Sequence, residues 1–240
     1  MHRLVYLVLD IGMVLSAIVV GLRYRQQWLS GWRPTLQTVG IVAVLFVAWD
    51  MAAVHAGHWR FNALYTLGLR IGGLPIEEWL FFVAVPLIAM SMWELIRPQE
   101  TKRWRVFGPV QAAIALGCAV FGVIQIGRGY SMAASSAALC SAGWWAACPY
   151  GVRRWLIFEG LLFGCFFCVN TILTALPVVE YGSAAYSGLR IGSIPVEDFL
   201  YNYALVGATI LTYAMLKNRP YYTQQRGREC KNPESKKKVF

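Results

Sequence analysis

Residues 68–80 read GLRIGGLPIEEWL, and residues 188–200 read GLRIGSIPVEDFL. Most positions are identical or conservatively replaced, so the chain carries an internal duplication with an offset of 120 residues. Each copy places two adjacent acids, Glu77-Glu78 and Glu197-Asp198, at the start of a strongly apolar segment. Because ionisable groups inside a membrane are costly and usually functional, the repeated pair predicts a membrane site built from paired carboxyl groups.

The composition is that of a membrane protein. Of the 240 residues, 58% are apolar and 14% are charged, which is more apolar and less charged than an ordinary soluble domain. Apolar segments near the length of about 20 residues that crosses a bilayer lie at 4–22, 36–55, 77–96, 106–126, 155–176 and 197–216, with a weaker one at 131–149. The sequence therefore predicts an all-α, polytopic integral membrane protein with about seven transmembrane helices.

The distribution of the 22 Lys and Arg residues favours seven helices over six. With seven, five of them fall on one side of the membrane and the remaining 17 on the other. The positive-inside rule places the richer side in the cytoplasm, so we expect a multi-pass protein of the cell membrane with its N-terminus outside and its C-terminal tail inside. The basic tail suits anionic lipid headgroups, and no sequence motif indicates nucleic acid binding.

The duplication predicts three helices, a linker helix and three more helices (3+1+3), with the two repeats in parallel orientation. The first repeat takes residues 1–105, the linker helix 106–129, the second repeat 130–216, and a basic disordered tail 217–240. At the same offset, Asp50 corresponds to Asn170. Arg70 and Arg190 also correspond, seven residues before the acid pairs, where they either reach the membrane interface or orient the acids.

Seven of the twelve acids are predicted to lie in the outer half of the membrane or at its outer rim. They are Asp10, Asp50, Glu77, Glu78, Glu180, Glu197 and Asp198. A helix start explains one acid of each pair, because an acid in the first turn complements the helix dipole, but it does not explain the clustering. On a helix, each acid of the first pair shares a face with the ring four residues on, Phe81 or Phe82. A carboxyl group beside aromatic rings in a dry pocket combines a proton donor with π-systems that stabilise a carbocation.

Three other groups of residues invite functional readings that the sequence does not favour. His55 and His58 have no defined third ligand, so no metal is predicted. Cys165 and Cys168 fall within a helix, where small buried residues are a better interpretation than a redox pair. The glycines of the repeat do not follow a strand, so they are no dinucleotide fingerprint, and no cofactor is predicted.

These motifs resemble those of the small membrane-embedded lycopene cyclases, the non-flavoprotein type that occurs as two subunits or as one fused chain. The similarity covers nearly the whole chain up to about residue 216 and is that of the fused form. It is carried by Trp49-Asp50, His58-Trp59-Arg60-Phe61-Asn62, Leu74-Pro75-Ile76-Glu77-Glu78, Phe81-Phe82, Trp93-Glu94 and Ile194-Pro195-Val196-Glu197-Asp198. The second copy departs from the family's usual Phe-Phe after the acids, with Tyr201-Asn202-Tyr203 in its place.

The resemblance implies a lycopene β-cyclase of carotenoid biosynthesis, an intramolecular lyase or isomerase that works without net redox change. An acid protonates C2 of the ψ end of lycopene, the C5–C6 double bond attacks the cation at C1, and loss of the C6 proton gives the β ring of γ- or β-carotene. We expect Glu77 and Glu197 to transfer the proton, supported by Glu78, Asp198 and Asp50. The expected substrate contacts are Trp79, Phe81, Phe82, Phe199, Tyr201 and Asn170.

Two alternatives stay open. A related cyclase could form an ε ring by loss of the C4 proton, or act on a longer carotenoid. A transporter could also be built from parallel three-helix repeats with a linker, although its polar site would lie mid-membrane rather than at one rim. A retinal photoreceptor is favoured less than the transporter, because no Lys lies in any predicted helix to form a Schiff base. Besides the carotenoid and membrane lipid, other enzymes of carotenoid synthesis are candidate partners.

Overall fold

The structure is a computed structural model that describes residues 2–96, 107–147 and 152–217. Within these ranges a 3₁₀ turn (His2–Leu4) precedes helices α1 (Val5–Arg23), α2 (Gln27–Ser30), α3 (Trp32–His55), α4 (Ile76–Leu95), α5 (Phe107–Ile124), α6 (Gly129–Ala147), α7 (Val152–Ala175) and α8 (Val196–Lys217). Short strands lie between α3 and α4, namely β1 (Trp59–Phe61), β2 (Arg70–Ile71) and β3 (Leu74–Pro75), and between α7 and α8, namely β4 (Val179–Tyr181), β5 (Arg190–Ile191) and β6 (Ile194–Pro195). The predicted all-α class is confirmed, and the predicted tail beyond Lys217 lies outside the described residues.

The helices have the length and surface of membrane spans. Five of them, α1, α3, α4, α7 and α8, are long and apolar enough to cross a membrane, and α5 contains a shorter apolar stretch, Gly108–Ile124. Large apolar side chains such as Val8, Val44 and Leu161 are exposed on the outside of the bundle. Soluble domains rarely expose apolar surface on this scale, so the structure fits a membrane protein, while the number of seven spans stays a prediction.

The two copies of the repeated sequence form the same hairpin. Strands β2 and β3 pair with Arg70 opposite Pro75, and β5 and β6 pair with Arg190 opposite Pro195. Gly72 and Gly192 open the tight turns with φ of +60° and +63°, a left-handed conformation that glycine adopts without steric cost. Helices α4 and α8 begin directly after the two prolines, so both acids of each pair fall in a first helical turn.

A third strand pair joins the two copies to each other. Strands β1 and β4 run antiparallel with Arg60 opposite Glu180, and these two residues are separated by the repeat offset of 120. The Arg60 guanidinium lies 2.6 Å from the Glu180 carboxylate, and the Asn62 amide donates to the same carboxylate at 3.0 Å. Both connecting segments therefore lie at the same end of the helix bundle.

The two helices that follow the hairpins, α4 and α8, form the centre of the bundle. They pack against each other and against α3, while α1 packs on α4 and α6 packs on α8. Helix α5 packs on α6. The largest apolar cluster lies beneath the β1–β4 strands and includes Phe46, Trp59, Phe82 and Leu205. The packing thus brings the first turns of α4 and α8 together under these strands.

The opposite ends of α4 and α8 are joined through one acid. Glu94 accepts hydrogen bonds from the Tyr213 hydroxyl at 2.5 Å, the Lys217 ammonium at 2.7 Å and the Gln27 backbone N–H at 2.5 Å. This contact ties α2, α4 and α8 together at the end of the bundle that lies away from the repeated acid pairs.

The two cysteines of α7 differ from the expectation of burial. Cys165 and Cys168 are free and exposed, because the surface of α7 that carries them faces away from the other helices. In a membrane-spanning helix that surface contacts lipid, so the bilayer rather than the protein shields these side chains from water.

Candidate active site

The first acid of each pair ties a loop to its helix. Glu77 Oε1 accepts the Leu67 N–H at 2.6 Å, and Glu197 Oε1 accepts the Ser187 N–H at 2.6 Å. Ser131 of α6 also donates its hydroxyl to Glu197 Oε1 at 2.5 Å. Both carboxyl groups are fully buried, so each holds the segment before its hairpin against the start of the following helix.

The second acid of each pair faces a cavity between the helices and the β1–β4 strands. The cavity has a volume of about 70 Å³ and is lined by acids and aromatic rings, with no Lys or Arg among its described lining residues. The acids are Asp50, Glu78 and Asp198; the rings belong to Tyr6, Trp59, Phe61, Phe81, Tyr130, Phe166, Tyr181 and Tyr201; and the remaining residues are Asn170, Leu173 and Val179.

Two acids from different helices meet in the first half of the cavity. Glu78 of α4 and Asp50 of α3 are neighbours in the lining of this half. Tyr6 of α1 donates to Glu78 Oε2 at 2.5 Å, and Tyr201 of α8 donates to Asp50 Oδ1 at 2.7 Å. Because two neighbouring buried carboxyl groups without a cation beside them cannot both ionise at low cost, such a pair is suited to holding one shared proton beside the aromatic rings.

Asp198 in the second half has a different set of partners. Its Oδ1 accepts the Tyr130 hydroxyl at 2.6 Å, and its Oδ2 accepts the Tyr181 hydroxyl at 2.5 Å and the Asn170 amide at 2.7 Å. Burial raises the pKa of Tyr181 well above its ordinary value, and the charge of the neighbouring Asp198 raises this pKa further. The Tyr181 phenol therefore stays protonated and donates a hydrogen bond at neutral pH. Three donors shared over both oxygens suit an ionised carboxylate.

Aromatic rings connect the two halves. The Trp59 ring centroid lies 4.8 Å from that of Tyr130 and 6.4 Å from that of Tyr201, and Tyr130 stacks on Tyr181 at 6.1 Å. An aromatic face stabilises a nearby cation by about 0.5–2 kcal/mol, more when water is excluded. The cavity can therefore protonate an apolar substrate and surround the resulting positive charge with rings and carboxyl groups.

The structure brings six of the eleven predicted site residues to the cavity. They are Asp50, Glu78, Phe81, Asn170, Asp198 and Tyr201. The other five lie outside the lining. Glu77 and Glu197 bind the loops, Phe82 is buried in the apolar core, the Trp79 indole N–H donates to the Ile71 carbonyl, and the Phe199 ring packs against Phe163 and Phe166.

The repeated arginines support the hairpins and do not contact the acids. Each guanidinium donates to a carbonyl in the turn of its own hairpin, that of Gly73 for Arg70 and that of Ser193 for Arg190. Burial lowers the pKa of His58, which lies between α3 and β1. Across the described ranges, no group of three or more His, Cys, Asp or Glu side chains could hold a metal ion.

The sequence pointed to Tyr201 but not to the three other tyrosines that bind the acids, Tyr6, Tyr130 and Tyr181. Tyr6 and Tyr130 both donate to the second acid of a pair, but they are 124 residues apart, so a comparison at a fixed offset of 120 does not align them. Tyr181 does correspond to Phe61 at that offset, and both line the cavity. Extending the comparison into the loops, with a gap allowed, would have pointed to these positions.

The match to a known family covers both halves of this site. A family model described as lycopene cyclase matches residues 3–96 and 131–216, which is most of the chain. The chain belongs to the lycopene cyclase family. Searches of the curated proteins and of the solved structures return no match.

The matched segments of this family member contain both acid pairs and every cavity-lining residue except Tyr130. Helix α5 lies between the two segments, which fits the fused form inferred from the acid motifs. Family membership makes the chain a carotenoid cyclase of the membrane type, so its substrate is a carotenoid and its resemblance to this family is confirmed.

Proposed function

We propose that this lycopene cyclase converts the ψ ends of lycopene into β rings at the cavity formed around Asp50, Glu78 and Asp198. The observation that carries the proposal is the placement of the neighbouring acids Asp50 and Glu78 beside a wall of aromatic rings in one cavity. Ring closure of a ψ end is an acid–base isomerisation that begins with protonation at C2 and ends with loss of the C6 proton. A carboxyl pair that holds a proton supplies the acid for this reaction.

The sequence predicted that the first acid of each pair, Glu77 or Glu197, transfers the proton. We now assign proton transfer to the second acid of each pair. Glu77 and Glu197 are bound to loop N–H groups and lie outside the cavity lining, whereas Glu78 and Asp198 face it. Cations at C1 and then C5 would lie among the rings, of which Trp59 is central. The electron-rich ring faces lower the energy of these cations.

We also propose the 3+1+3 arrangement with seven membrane spans, an outside N-terminus and a cytoplasmic tail. Helices α3 and α7, Trp32–His55 and Val152–Ala175, have bounds related by the offset of 120. The α5–α6 turn supports a spanning α5, because Arg128 in it donates to the Tyr186 carbonyl at 3.0 Å, next to the strands. The repeats would occupy residues 1–105 and 130–216, with 106–129 as the linker.

Pigment analysis of a lycopene-accumulating bacterial host tests the function. Wild-type protein should convert lycopene to γ- or β-carotene, identified by chromatography with absorption spectra. Glu78→Gln and Asp198→Asn should each lower product by about 100-fold or more, since general acid–base groups contribute about 10²–10⁴-fold. A product with ε rings would replace the β assignment and leave the site unchanged.

Glu159→Gln is the matched control for these variants. Glu159 is a buried carboxyl group on the spanning helix α7, as Asp198 is on α8, but it does not line the cavity. Its product level should stay near that of wild type. Unchanged lycopene in cells with well-inserted wild-type protein would contradict the proposed substrate, and full activity of Glu78→Gln would contradict the proposed site.

A further inference from the structure

We infer that the two halves of the cavity have opposite proton roles: the Asp50–Glu78 pair delivers the proton and Asp198 removes it. This inference rests on the proposed function and adds the direction in which the proton passes through the site. It is carried by a difference between corresponding residues of the two copies.

The difference begins at one pair of corresponding positions. Asp50 on α3 and Asn170 on α7 are 120 residues apart, and each contacts the second acid of its own copy, Glu78 or Asp198. Asp50 offers a second carboxyl group beside Glu78, and two buried carboxyl groups side by side favour one shared proton. Asn170 offers an amide N–H, which binds a carboxylate without any added proton. The residue type at this one position thus distinguishes an acid pair from a single carboxylate held by hydrogen-bond donors.

The tyrosines strengthen this difference. Asp198 receives two phenol hydroxyls, from Tyr130 at 2.6 Å and Tyr181 at 2.5 Å. The residue that corresponds to Tyr181 in the first copy is Phe61, which has no hydroxyl, so Glu78 receives a single phenol, from Tyr6. Hydrogen bonds donated to the charged form favour that form, and Asp198 has the larger set of them.

The reaction then balances as a transfer from one half to the other. The proton of the pair forms a C–H bond at C2 as the C1–C2 π bond breaks, which leaves the cation at C1. The C5–C6 π electrons form the C1–C6 bond and move the cation to C5. The Asp198 carboxylate takes the C6 proton, and the electrons of that C–H bond form the double bond of the β ring.

After each ring closure, Asp198 carries one more proton and the Asp50–Glu78 pair carries one fewer. A proton must therefore pass from Asp198 back to the pair before the next ring can form. Asp50 and Asp198 line the same cavity, and the Tyr201 hydroxyl, which donates to Asp50, lines it with them. The return needs no external acid, base or electron acceptor, in keeping with an isomerisation.

Exchanging the residues at positions 50 and 170 tests the direction. Asp50→Asn removes the shared proton and Asn170→Asp removes the amide-held base, so each should lower the cyclisation rate by about 100-fold or more. The double variant D50N/N170D moves the acid pair to the second half and the base to the first, and should recover at least about tenfold over either single variant. Losses that simply multiply in the double variant, or near wild-type activity of Asp50→Asn, would overturn the inference.

An infrared measurement without substrate separates this inference from the proposed function. A protonated carboxyl group has a C=O stretching band that a carboxylate lacks. In purified protein, Asp50→Asn and Glu78→Gln should each remove one such band from the difference spectrum, whereas Asp198→Asn should remove only carboxylate intensity. Loss of a protonated band in Asp198→Asn would overturn the inference. If the wild-type protein shows the expected bands but forms no cyclic carotenoid, the proposed function is contradicted and the inferred protonation states are not.

Discussion

Glu77 and Glu78 have different surroundings, although the sequence presents them as one pair. Consecutive residues on an α-helix point about 100° apart, so one side chain turns toward the loop before the hairpin and the other toward the cavity. Glu77 binds the Leu67 N–H, and Glu78 binds Tyr6. Two adjacent acids in a first helical turn therefore serve two purposes, one in holding the loop and one in the proposed chemistry.

This division predicts that Glu77→Gln is tolerated and Glu78→Gln is not. Glutamine at position 77 keeps an oxygen that accepts the Leu67 N–H, so we expect carotenoid product within about tenfold of wild type. Glu77→Ala leaves that N–H without its partner, a loss of about 1–3 kcal/mol, and should lower the thermal unfolding midpoint. Chromatography of products, normalised to inserted protein, measures the product level, and thermal unfolding in detergent measures the midpoint. Absence of product from a stable Glu77→Gln variant would assign proton transfer to Glu77 again.

Tyr201 provides a second test at the scale of one atom. Its hydroxyl donates to Asp50 at 2.7 Å, and the corresponding residue of the first copy is Phe81. Tyr201→Phe keeps the ring but removes a hydrogen bond to an acid, worth about 1.5–3 kcal/mol. We expect the rate to fall about 10- to 100-fold at unchanged protein yield. Tyr24→Phe, at an exposed side chain, is the control, and equal rates for both variants would refute a role for the hydroxyl.

At the scale of elements, the helices were predictable and the strands were not. Apolar length identifies a span, and α3 was predicted as 36–55 and observed as Trp32–His55. Strands of two or three residues carry no alternation long enough to recognise, and the β1–β4 pairing depends on both copies meeting in space. Tyr181 was missed for the same reason, because it reaches Asp198 from a strand of this pairing.

Helix α6 was the weakest predicted span, and its packing explains the weak signal. Ala134, Ala138 and Ala142 are fully buried on it, and it packs between α5 and α8. Small residues let helices approach closely in a membrane. Contacts with α5 and α8 therefore stabilise α6, which needs fewer lipid-facing apolar side chains. Hydropathy alone therefore underestimates a helix of this kind.

This close packing predicts the effect of a single methyl group at Gly207 of α8. A Cβ added there would overlap the Ser141 Oγ on α6, so Gly207→Ala should separate the helices and cost about 1–3 kcal/mol of stability. Gly164→Ala on α7 meets no atom within 4 Å and should stabilise slightly through helix propensity. Thermal unfolding in detergent compares the two; equal midpoints would show that α6 and α8 are not packed this way.

At the scale of the whole molecule, the strand pairing restricts the number of crossings. The two connecting segments meet at the same end, so an even number of crossings separates them, and α5 and α6 either both cross or both do not. Their 18 and 19 residues extend about 27–28 Å at 1.5 Å per residue, close to the hydrocarbon thickness of about 30 Å. Together with the α5–α6 turn beside the strands, this favours seven spans.

Thiol labelling in a cysteine-free background tests this topology. Single cysteines replace Ile126 in the α5–α6 turn and Tyr24 after α1, both exposed side chains at opposite ends of the bundle. With seven spans and an outside N-terminus, a membrane-impermeant maleimide should label Ile126→Cys in intact cells and Tyr24→Cys only after permeabilisation. Labelling of Tyr24→Cys alone would invert the protein in the membrane. Protection of both positions in intact cells would contradict a crossing α5 and α6, because the turn would then lie on the cytoplasmic side with Tyr24.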